Sequence, residues 1–408
     1  MAVLRVGIGH AKTAREAAET AMQKTPKPDL TIAFSAFGKD PKESYDAIRS
    51  VVGNSAIIGG TSCGEITSAM QGPQNDTVAV MTLQSSYLSI GVGVGENLST
   101  DPKAAAEQAA AGAHKSLKSN PTVMSLMAIA LDGKNASEAS RLKPFVNVII
   151  PDGSTAQEEP FMRALIKETG TVAQIVGGST AHDFNASTTF QFGNGVYQNA
   201  AVLATISSGL KLGTAMGHPY FPGTKGAVVT RSQGRTVYEL NKRPATEVVK
   251  EMLGINELNG EVFAKNPFGI KSSDVFAEYT VKSVAQHGED GSLTFFAEIP
   301  EGAYLRHMQT DRNFAIASFK STLQKAVNDA GSPKKVGAVI IFNCILRHLL
   351  KTRMDVCDTS IIRETLGEDV PVIGFNTFGE QGITLGGAVG HYNQTATVLV
   401  IGDELISQ

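Results

Sequence analysis

Three short segments collect the residue types that could hold or transform a small molecule. They are Ala56–Glu65 (AIIGGTSCGE), Gln174–Asp183 (QIVGGSTAHD) and Pro371–Glu380 (PVIGFNTFGE). Each runs from an apolar strand through glycine into small hydroxylated or amide side chains. Each ends on an acid: Glu65, Asp183 and Glu380. Gly59, Gly60 and Gly374 leave backbone N–H groups approachable, and the carboxylate beyond them adds an acceptor. With Asn393 downstream, such loops could form a polar pocket at strand ends for a small amphoteric ligand such as an amino acid. The same glycines are equally what tight turns and close packing demand. In the third segment Phe375 and Phe378 stand where the first has small residues, so that copy is more apolar and aromatic.

Cys63, Glu65 and His182 contain the residue types of a Cys-His-acid hydrolase. Cys344 and His348, four apart, would share a helix face and could ligate a metal with Cys357, but zinc needs a second pair. No GxSxG elbow, Walker A loop or HExxH motif occurs, and Gly91-Val92-Gly93-Val94-Gly95 lacks the third-glycine spacing of a dinucleotide fingerprint. The expectation is a receptor rather than an enzyme.

Repeated elements must position these segments. An apolar strand precedes each one, at Leu30–Phe34, Val146–Ile150 and Val336–Phe342. A stretch with three- and four-residue apolar spacing lies between, closed by Gly53, Gly170 or Gly367 as a left-handed cap. A further strand opens near Asn75, Asn199 and Asn393. The unit is β-α-β-turn-β, and a strand and helix precede the first two copies, at Val6–Gly9 with Thr13–Gln23 and at Ile90–Gly95 with Asp101–Leu117. A third such strand, Leu210–Met216, ends at Gly217-His218-Pro219. About a hundred residues of other character, roughly Thr224–Pro333, then intervene. They include a strand pair at Val275–Val284 and Leu293–Ile299 and a helix at Phe314–Asn328. The fold expected is α/β, two domains of mixed sheets flanked by helices, with a boundary between residues 1–222 and 223–408.

The net charge of −3 gives no reason to bind nucleic acid or an anionic membrane. The first ten residues do not read as a signal peptide, and no apolar run is long enough to span a bilayer. Three cysteines, without a CxxC, fit a reducing cytoplasm.

These features resemble the FIST sensory proteins, FIST_N followed by FIST_C, along nearly the whole chain. The resemblance rests on Ile58–Glu65, Val228–Arg231, Val237–Leu240, Glu298–Gly302, Phe342–Arg347, Ile373–Glu380 and His391–Thr395, in that order and spacing. It implies a cytoplasmic small-ligand sensor that regulates a histidine kinase or a cyclic-di-GMP signalling enzyme, with a homodimer left open. One branch, the NosP type, binds haem and senses nitric oxide. By that resemblance His391 is the first candidate axial ligand, with His348 and His218 behind it. Phe375 and Phe378 would flank the porphyrin, and Arg347 would pair with a propionate. The alternatives are an amino-acid sensor without haem, a cysteine hydrolase and an interaction scaffold.

Overall fold

The computed structural model describes residues 3–68, 76–132, 143–170, 172–182, 188–271, 278–383 and 389–406. Asp183, Asn75 and the first part of the strand expected from Val275 lie outside the described residues.

Period-two alternation dictates the architecture. Leu30, Ile32 and Phe34 of the first unit point to one core; so do Val146, Val148 and Ile150 of the second and Ala338, Ile340 and Phe342 of the third. The intervening side chains, Ala33, Ile149, Val339 and Ile341, face outward onto helices. Both faces are therefore buried, and these strands read as continuous apolar runs. Three sheets enclose one central core, and each carries a helix pair outside. The pairs are Ala14–Met22 with Pro41–Val52, Pro102–Ser116 with Glu158–Thr169, and Arg312–Asp329 with Asp358–Leu366.

Each sheet has the same order. In the first unit it is Arg5–Ala11, Val78–Gln84, Leu30–Ala36, Ala56–Ser62; the last two strands are parallel and the rest antiparallel. The second unit repeats it with Leu88–Glu96, Ala200–Ser208, Phe145–Pro151 and Gln174–Gly178. The third uses Leu210–Gly217, Ala396–Leu405, Val336–Cys344 and Val372–Thr377. The chain is thus α/β with mixed sheets flanked by helices, as the repeat predicts. The strand before the long intervening stretch belongs to the sheet formed after it.

The segment following each glycine turn does not stay with its own sheet. Glu65–Thr67 of the first unit pairs with Val372–Thr377 of the third. Glu380–Ile383 of the third pairs with Gln174–Gly178 of the second. Gln191–Phe192 of the second pairs with Ala56–Ser62 of the first. Every sheet is completed by a neighbour, in a closed cycle.

The intervening stretch forms its own sheet, centred on Phe221–Gln233, Thr236–Leu240 and Tyr304–Gln309, over a separate core. Tyr279–Lys282 pairs with Phe268–Lys271, not with Leu293–Phe295 as the sequence suggested. The partner of Leu293–Phe295 is Val284–His287, across the Gly288–Gly291 turn.

Gly91-Val92-Gly93-Val94-Gly95 also finds its reason. The alanine-rich helix Pro102–Ser116 lies directly on this strand, and a Cβ at Gly93 would collide with the Ala109 carbonyl oxygen. Gly93 sets helix–strand distance here.

Candidate functional site

Four parallel strands of the second and third units end on the same side. At those ends, beneath the inserted domain, lies a cavity of about 420 Å³. Gly153 and Ser154 follow the strand Phe145–Pro151, and His182 follows Gln174–Gly178. Cys344 closes Val336–Cys344, with Ile345 and Leu346 beyond it, and Phe378 follows Val372–Thr377. Glu158 and Asn393 complete the core side, while Arg235 and Phe296 come from the inserted domain. The carboxyl ends of parallel strands, where chains diverge to neighbouring elements, are where α/β folds leave room for ligands. The volume suits a small molecule.

One wall is aromatic. The His182 ring meets Phe378 edge-on, with centroids 4.8 Å apart and planes at 85°. Phe296 faces from the other domain and is 37% exposed, uncommon for so large an apolar side chain. The opposite rim is ionic. Arg235 donates from Nη2 to Glu158 Oε2 at 2.9 Å and from Nε to Glu159 Oε2 at 3.2 Å. Lys282 lies 3.5 Å from Glu159, and the backbone N–H of Glu298 donates to Glu159 Oε1 at 2.7 Å. Glu158 and Glu159 open the helix Glu158–Thr169, where the helix dipole favours acids. Burial pushes Glu158 up and Lys282 down from their ordinary pKa values, and the facing charges pull against both shifts. Arg235 and Lys282 are on the inserted domain and both glutamates are on the second unit, so the network clasps one body to the other. Sequence reading missed it: adjacent acids at a helix start and a lone arginine in a turn carry no local signal of their partnership.

Of the described residues the sequence nominated, Phe378, Asn393, His182 and Cys344 reach this cavity; the others do not. Gly59, Gly60 and Gly374 lie inside strands paired on both sides, so ladder bonds occupy their backbone groups. Phe375 is fully buried in the central core, 4.4 Å from Phe34 and 5.8 Å from Phe342 between ring centroids. It sits at the position held by Gly60 and Gly178 in the other units and fills the space they leave. Arg347 is buried against the Phe319 ring, its charge met by Asp358 at 2.8 Å and by Asn343. His348 is half-buried on a short helix, away from the cavity walls. The His218 Nε2 lies 2.9 Å from the Tyr279 carbonyl in a separate groove.

Glu65 and Glu380 are sealed in. The first accepts from the Ser62 and Thr77 hydroxyls, the second from those of Thr377 and Thr395. Burial raises both to about 8, so each is a neutral acid at neutral pH. Register identifies the third member of the set. Glu65 faces Phe375, Glu380 faces Gly178, and the residue facing the equivalent Gly60 is Gln191, not Asp183. Gln191 donates to the Thr180 and Thr189 hydroxyls at 2.8 and 3.1 Å. An amide occupying the same niche is what a neutral carboxylic acid resembles. These groups pin the exchanged strands.

The residues expected for haem do not fit it. His391 is buried, and its Nδ1 accepts from Gln381 Nε2 at 3.0 Å, leaving the proton on Nε2. Burial lowers its pKa to about 3. The hollow it borders is walled by Glu159, Arg163, Lys282 and Glu298, a charged lining unlike a porphyrin slot. His391 and Phe378 border different hollows, and Phe375 borders neither. The hydrolase residues also stand apart: Cys63 does not line the cavity that His182 lines, and Glu65 is consumed by its two hydroxyls. Cys344 does line it, but burial pushes its thiol far up, so it holds no thiolate.

The fold is α/β with mixed sheets flanked by helices, and the chain belongs to the FIST family. The FIST N domain model matches residues 29–243 and the FIST C domain model residues 245–383. FIST domains are small-ligand sensor domains in signalling. An uncharacterized protein of Methanocaldococcus jannaschii is 27% identical over 226 residues, 52% of this chain. The match spans 42% of that protein, less than half its length. Among solved structures, a cyanuric acid hydrolase from A. caulinodans superposes with a TM-score of 0.37 at 9% identity, covering 98% of this chain and 99% of that one. T. maritima PurL complexed with AMPPCP gives 0.22 at 9% identity, covering 99% and 73%. Likenesses this loose say nothing of chemistry. Among the described residues no helix is long and apolar enough to cross a membrane.

Proposed function

We propose that this chain is a small-molecule receptor whose ligand occupies the cavity at the strand ends of the second and third units, and that it is not an enzyme. The observation that carries this reading is the cavity's double ownership. Phe378, His182 and Asn393 belong to the three-sheet body, Phe296 and Arg235 to the inserted domain. A ligand touching both bodies binds one relative arrangement better than another, which is the requirement for a signal. The Arg235–Glu158–Glu159–Lys282 clasp is the element whose geometry such a ligand biases. A histidine kinase or cyclic-di-GMP enzyme reading the inserted domain would receive that change.

Thermal-shift screening of the full chain against small metabolites tests the proposal. Compounds that raise the melting temperature should lose most of that effect in Phe296→Ala and Phe378→Ala. Hits that stabilise both variants as well as the native protein would place the ligand elsewhere. Catalytic turnover of a bound compound would refute the receptor reading.

A further inference from the structure

We infer that the ligand is a planar ring compound presenting a carboxylate along one edge; this rests on the cavity being the sensory site. Two donors on the wall are unengaged. Arg235 uses Nε and Nη2 on its glutamates, and Nη1 has no partner. Asn393 is 2% exposed; its Oδ1 accepts from the Ser283 N–H at 3.4 Å, and its Nδ2 has no partner. Neither atom is sealed from solvent, and both residues line the cavity, so these two N–H groups are open to a ligand group that accepts.

The wall's own acceptor is already used. Glu158 Oε2 takes Arg235 and its Oε1 takes the Ser179 hydroxyl at 3.4 Å. A ligand that donates would share Glu158 with these two partners. Arg235 and Lys282 balance Glu158 and Glu159, so the rim is formally neutral and does not repel an anion. A carboxylate makes charge-assisted bonds to a guanidinium, stronger than those a carbonyl would make.

The remaining walls select the body of the ligand. Phe378 with His182 on one side and Phe296 on the other present ring faces and edges, which a flat π system complements better than a globular aliphatic one. Phe296 is then exposed because its stacking partner is the ligand.

The probe is 2-naphthoate, titrated into the full chain by fluorescence, since the protein has no tryptophan to obscure it. Saturable binding is expected. Phe296→Ala, at an exposed position, and Asn393→Asp, confirmed folded by its melting curve, should each weaken it by about tenfold or more. Adamantane-1-carboxylate, equally charged but not flat, should fail to compete. Absence of naphthoate binding, unchanged affinity in Asn393→Asp, or equal competition by the adamantane acid would overturn the inference. If 2-naphthylmethylammonium binds instead and Phe296→Ala abolishes it, the carboxylate is wrong while the cavity remains the site. If no compound that binds is affected by Phe296→Ala or Phe378→Ala, the sensory site itself is misplaced.

Discussion

Glu65 and Glu380 show how far a side chain's type is from its role. An acid after a glycine turn reads as a ligand contact, yet each is a neutral plug, and Gln191 does the same work with an amide. The pH consequence has a definite sign. Below about pH 4.5, the ordinary glutamate value, both carboxyls are protonated whether the chain is folded or not. From there to about 8 the unfolded chain releases protons that the folded one keeps, so stability falls as pH rises. The double variant Glu65→Gln, Glu380→Gln should flatten that slope, recovering on the order of 4 kcal/mol per site at pH 8 in denaturant melts. Equal slopes in variant and native protein would show that the carboxyls are ionised. Phe375 is the other instructive residue. Phe375→Ala should cost about 3–5 kcal/mol, because a sealed void replaces a ring packed on Phe34 and Phe342. The sequence announced an aromatic third copy but not that one ring faces the core and the other a cavity. That distinction is set by strand parity at Phe375 and by the turn beyond the strand at Phe378.

Elements were more legible than their partners. The strands were readable from apolar runs and the helices from spacing and caps; Thr13 and Asp101 cap as side-chain acceptors. The hairpin exchange was not readable, because local sequence does not say which sheet edge a short strand reaches. The insertion's pairing around Tyr279 escaped for the same reason. The clasp between the helix Glu158–Thr169 and the insertion yields a contrast in magnitudes. Arg235 is largely buried between two carboxylates, and Arg235→Met should cost about 3–5 kcal/mol by stranding them. Arg163 pairs with Glu298 across the same seam at 2.7 Å, but both are well exposed, and Arg163→Ala should cost only about 0.2–1 kcal/mol. Chemical denaturation of the two variants distinguishes these outcomes, and similar losses would mean the seam has no buried centre. At Gly379, with φ at +144°, any Cβ would meet the His391 ring, so Gly379→Ala should destabilise by about 1–3 kcal/mol.

At the scale of the molecule, the boundary expected at residues 222 and 223 divides what the chain does not. Residues 1–222 carry the strand Leu210–Gly217, which the third sheet needs, and lack Glu380–Ile383, which the second sheet needs. Expressed alone, that fragment should lack a cooperative melting transition, whereas the full three-sheet body melts as one. A sharp native-like transition in the fragment would mean the exchanged strands are dispensable.

The cyclic lending of strands has a further consequence. No sheet can be peeled away without robbing the next of its edge, and that one robs the third. Amide protons deep in all three should therefore exchange through one shared opening event rather than three local ones. On the proposed reading, the interlocked frame would stay fixed while the separately built insertion, held to it by the Arg235 clasp, answers the ligand.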